Sequence, residues 1–66
     1  MEPEVRAIYD KCTDVISSCI NRNHIKATGR YKNLAIKRIL ELSDNPVVDT
    51  IVHNINLHFK LKVRHL

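Results

Sequence analysis

Residues 55–66, INLHFKLKVRHL, admit two readings, and the choice between them decides the fold. As a strand, Ile55, Leu57, Phe59, Leu61 and Val63 line one face while Asn56, His58, Lys60, Lys62 and Arg64 line the other. As a helix begun at Pro46, the same stretch extends a stripe of Val48, Ile51, Val52, Ile55, Phe59, Val63 and Leu66. Each reading leaves something over. The strand presents unpaired edge groups, and VVDTIV could pair with it only through a tight turn at His53 and Asn54, where no glycine helps. The helix leaves Leu57 and Leu61 on its far side. The preceding SDNP favours the helix, because Asp44 or Asn45 can accept backbone N–H groups and Pro46 suits a first turn. A helix is therefore expected over residues 46–64, with a C-terminal strand paired across a dimer as the alternative.

Upstream, Val5, Ile8, Cys12, Val15, Ile16, Cys19 and Ile20 recur at helical spacing, which predicts a helix over residues 3–22. Pro3 suits its first turn, Glu2 and Glu4 complement the positive end of its dipole, and Arg22 lies near the negative end. The lone Gly29 marks a turn or a helix edge. After it, Tyr31, Ala35, Ile36, Ile39, Leu40 and Leu42 gather on one side and predict a helix over residues 30–43, with Leu34 off the stripe. The expectation is an all-α fold, a small three-helix bundle, forming a single domain over residues 1–66.

Composition agrees. One glycine and two prolines in 66 residues argue against a turn-rich β chain, and 44% apolar residues argue against disorder. A chain this short buries only about 60% of its unfolded surface, so association with another chain would add needed stability. No run approaches the roughly 20 apolar residues of a membrane span, and MEPEVR opens with acids rather than a basic leader, so no membrane contact is expected. Cys12 and Cys19 share one helical stripe, too far apart for a bridge, and read as buried thiols of a reducing, intracellular compartment. With His24, His53, His58 and His65 they form no zinc-ligand spacing apart from a weak five-step pair, His53 and His58, so neither a metal nor a cofactor is expected.

Charge is blocked rather than mixed. The net charge is +4, and Arg22, Lys26, Arg30, Lys32, Lys37 and Arg38 follow one another without an intervening acid. Two functional readings follow. In the first, a protein-interaction or oligomerisation module uses Leu57, Phe59 and Leu61 with Lys60 and Arg64 to meet another chain, as a homodimer or with a different partner. In the second, Arg30, Lys32, Asn33, Lys37, Arg38, Lys60 and Lys62 hold a nucleic-acid phosphate backbone. Tyr31 could stack on a base, although its periodicity places it in the core.

Residues 25–40, IKATGRYKNLAIKRIL, superficially resemble the middle of the bacterial helix-turn-helix, in which a turn glycine precedes a recognition helix. The frame slips by about one residue, and Arg30 and Arg38 stand where that motif packs apolar side chains. The likeness is set aside. No phosphate-binding loop and no nucleophile with a visible base is present, so an enzyme is not expected.

Overall fold

The computed structural model describes residues 2–66, which form three helices: α1 over Pro3–Ser17, α2 over Ile25–Leu42 and α3 over Val47–Arg64. A single 3-10 turn at Arg22–His24 precedes α2. Residues 55–66 are thus helical up to Arg64, and no strand occurs among the described residues. The strand-paired alternative is overturned. Its alternation was real but coincided with a helical stripe that the core could use.

The three helices run up, down and up in a rod of 34 × 15 × 15 Å. Ser17 Oγ and His58 Nε2 lie 3.3 Å apart and fix the end of α1 beside the latter half of α3. At the opposite pole Glu2 and Val5 share a depression with Val47 and Val48, so α1 and α3 are parallel and α2 is antiparallel to both. Each helix contributes to one core: Val5, Cys12 and Ile16 from α1, Ala35 and Ile39 from α2, and Val48, Ile51 and Ile55 from α3. Ile16, Ile39 and Ile55 are completely covered, and burying each contributes roughly 1.5–3 kcal/mol. Around them Ile8, Tyr9, Ile36, Leu42, Val52 and Phe59 pack as a half-buried rim. Lys62 and Arg64 in the last turn of α3 complement the negative end of its dipole.

Two helix boundaries differ from the sequence expectation. The first helix stops at Ser17 rather than residue 22. Ser18 still makes the helical N–H bond to the Asp14 carbonyl at 3.0 Å, to which its hydroxyl adds a second at 2.9 Å. The Cys19 N–H, however, turns to the Ile16 carbonyl three residues back at 3.1 Å, and this tightened last turn closes the helix. Asn21 then lies extended, and its side chain accepts from the Asn23 N–H at 2.9 Å to open the 3-10 turn. Cys19 stays buried outside the helix, whereas Ile20, counted in the stripe, is 75% exposed, and Arg22 is too far on to serve the α1 dipole. The second helix begins at Ile25 and runs through Gly29 without a turn. This continuous helix also removes the helix-turn-helix likeness.

Candidate functional site

Leu57 and Leu61, one turn apart on α3, point away from the core and are each nearly half exposed. Lys60 and Arg64 are exposed beside them. Phe59 is not part of that outward strip. It belongs to the half-buried rim and lies against Gly29 of α2.

The cations grouped by sequence divide into three sets. Arg30, Asn33 and Lys37, spaced three and four apart, form one exposed outward stripe on α2. Lys32 turns toward α3, where its Nζ donates to Asn56 Oδ1 at 2.9 Å and sits 5.0 Å from the centre of the Phe59 ring. Arg38 turns toward α1 and lies 3.9 Å from Glu41. Lys60 and Lys62, two apart, occupy opposite flanks of α3, and Lys62 borders a depression with His58, Leu61 and His65. No single plane therefore contains all seven residues.

The charges nonetheless separate in part along the rod. Glu2, Glu4, Asp10 and Asp14 lie on or beside α1, and Glu41, Asp44 and Asp49 lie at the α2–α3 junction. The start of α2 and the end of α3, carrying Lys26, Arg30, Lys60, Lys62 and Arg64, form a basic pole. The ion pairs among the described residues, Arg6 with Asp10 and Arg38 with Glu41, do not involve these cations, and Asp14, at the end of α1 across a depression from His24, is the acid nearest the start of α2.

A feature the sequence reading missed lies between α1 and α2. Ala7, Ile8 and Lys11 face Tyr31, Leu34, Ala35 and Arg38 across an open groove of about 380 Å³. Leu34 is 67% exposed, and Tyr31 stands at the rim with about a third of its surface free instead of lying in the core. The signal was present in the sequence: Leu34 has Arg30, Lys37 and Arg38 at positions minus four, plus three and plus four, so a leucine outside the core stripe is ringed by cations.

A larger depression of about 490 Å³ lies where α1 ends, with Lys11, Asp14, Cys19 and His24 on its walls. Its thiol is buried and directed at the Asn21 carbonyl oxygen, 3.7 Å away. Cys12 is fully buried, and that burial raises its thiol above the ordinary value against a smaller opposing pull from the Lys32 ammonium. Neither thiol has the exposed, electropositive surroundings of a nucleophile. Among the described residues no three His, Cys, Asp or Glu side chains converge as metal ligands, and no helix is long and apolar enough to cross a membrane. No family model, curated protein or solved structure matches the chain.

Proposed function

We propose that this chain is a non-catalytic protein-interaction module whose apolar contact surface is framed by cations. One observation supports it: the core is closed by Ile16, Ile39 and Ile55, yet Leu34, Leu57 and Leu61 stand on outward helix faces. A single exposed leucine is ordinary. Leu57 and Leu61 are adjacent on the helix surface with Lys60 and Arg64 beside them, and Leu34 borders an open groove, so each belongs to a patch that a second chain can cover. The test compares the native chain with a Leu34→Ser, Leu57→Ser, Leu61→Ser variant of unchanged helicity and melting temperature. Sedimentation over a wide concentration range reads self-association, and affinity capture with mass spectrometry reads other partners. A native chain that stays monomeric and captures the same proteins as the variant would remove the proposal.

A second reading, binding to a nucleic-acid backbone, draws on the charge separation. Cations gathered at one pole can hold phosphates, with affinity falling steeply as salt is added. Lys26, Arg30, Lys60 and Arg64 would carry it, Lys32 being engaged with Asn56. If neither a labelled duplex nor a labelled single strand binds at low salt, this reading ends.

A further inference from the structure

We infer that the groove between α1 and α2 seats an amphipathic helix carrying carboxylates beside a bulky apolar anchor. The inference rests on the interaction reading above and narrows it to one surface and one class of partner. Small residues make room: Ala7 on one wall and Ala35 on the other leave a trough bordered by Ile8, Tyr31 and Leu34. Because the trough lies between two antiparallel helices, an inserted helix would extend the bundle toward four-helix packing, with anchors recurring every three or four residues.

Charge selects the occupant. Lys11 stands on the α1 wall, while Arg30, Lys37 and Arg38 surround Leu34 on α2. The carboxylates nearby are Glu41, in a long 3.9 Å contact with exposed Arg38, and Asp14, which shares the adjoining depression with Lys11. On the α1 side Glu4 and Asp10 each lie one turn from Ala7, Asp10 being paired with Arg6 at 3.4 Å, so the attraction for acids comes from the α2 wall. Surface pairs of that kind hold their partners weakly, so the rim remains able to attract acids. A second copy of this chain fits poorly. Its one acid-rich helix, α1, presents Ala7, Asp10 and Asp14 outward and offers no large apolar anchor. A phosphate backbone would satisfy the cations but leave Leu34 and Ala7 against a polar surface.

The experiment pans a displayed library of random helical peptides, about 16 residues long, against the intact chain and measures the enriched peptides by fluorescence anisotropy. Expected are peptides with large apolar residues three or four apart and Asp or Glu beside them. Leu34→Ser should weaken their binding about tenfold or more, as removal of an anchor contact does. A paired Arg30→Glu, Lys37→Glu variant should weaken it likewise, while Leu57→Ser with Leu61→Ser should leave it unchanged. Ala7→Gln, which obstructs the trough from an exposed position on the other wall, should also block binding and guards against a folding defect at Leu34.

Several outcomes overturn the inference. Peptides that are basic, or that bind the Leu34→Ser and Ala7→Gln variants as well as the native chain, rule out this groove. Binding that follows Leu57 and Leu61 instead preserves the interaction reading while removing the groove from it. Self-association abolished by Leu34→Ser would make a second copy the occupant. A duplex released by the charge reversals but retained by Leu34→Ser and Ala7→Gln would make the cations a phosphate site. Absence of both peptide binding and self-association would remove groove and interaction reading together.

Discussion

The ring of Phe59 in α3 lies against the backbone of α2 at Gly29, so close that a Cβ added to the glycine would sit 3.4 Å from Cζ. That spacing is close van der Waals contact, and Gly29 has no positive φ to preserve. Alanine in a helix interior is favoured over glycine by about 0.8–1 kcal/mol. Gly29→Ala is therefore expected to stabilise the fold by about 0.5–1 kcal/mol and raise Tm by roughly 2–8 °C in thermal circular dichroism. Gly29→Leu should lower stability by about 1–3 kcal/mol, since its side chain must displace Phe59. A melting temperature lowered by alanine would show that the ring tolerates no methyl group there.

Lys32 is expected to act as a strut between α2 and α3. It donates to Asn56 at 2.9 Å and lies 5.0 Å from the Phe59 centroid, half-buried. Lys32→Ala should cost about 1 kcal/mol, from a lost hydrogen bond and a weak cation–π contact. Combined with Asn56→Ala in a double-mutant cycle, it should show coupling above about 0.5 kcal/mol. Additive effects would mean that the Lys32–Asn56 bond contributes nothing.

These two contacts also mark the boundary of what the sequence made legible. The helical stripe through Ile55, Phe59 and Val63, together with Asn45 and Pro46 ahead of it, identified α3 because burial and capping agreed. Gly29 misled because glycine is read as a local break, whereas it lies inside α2 with a ring packed on it from thirty residues further along the chain. The stripe of α1 overshot because Cys19 is buried by tertiary packing after the helix has ended. Leu34 was visible as an exception to its stripe, but the groove beside it exists only once Ala7 of α1 stands opposite. The basic residues were legible as a block. Their directions were not, because adjacent cations such as Arg30 and Lys32 leave a helix on different sides.

Cys12 should impose an alkaline limit on stability. Burial raises its thiol above the ordinary value, only partly offset by Lys32, so the folded chain keeps a proton that the unfolded chain releases. The contribution is intact below the unfolded thiol pKa, about 8.5, and declines as pH rises above it. In urea titrations from neutral to about pH 10, the native chain should lose more stability than Cys12→Ala does over the same interval. Parallel losses would assign the alkaline sensitivity to other groups. Consistent with burial, Cys12 should react with a disulfide reagent far more slowly in the folded than in the unfolded chain.

At the acidic pole, Asn45 holds the entry to α3. Its side-chain oxygen accepts from the Val47 N–H at 3.0 Å, and its own N–H donates to Ser43 Oγ at 3.2 Å. The Ser43 hydroxyl in turn donates to Glu2 Oε1 at 2.9 Å, so one relay joins the start of α1 to the start of α3. With Pro46 locked near its preferred φ, the capping oxygen is what satisfies a free donor of the first turn. Asn45→Ala should cost about 1 kcal/mol. Asn45→Asp keeps the acceptor and adds a favourable charge at the helix N-terminus, but Glu2, Asp44 and Asp49 repel it, so its stability should remain within about 0.5 kcal/mol of the native chain. Ser43→Ala combined with Asn45→Ala should destabilise by about the sum of the two alone, because alanine at position 45 keeps the backbone N–H that Ser43 Oγ accepts, so the two changes remove different bonds. Equal destabilisation by alanine and aspartate at position 45, measured by urea unfolding, would show that the capping oxygen is not what fixes the start of α3.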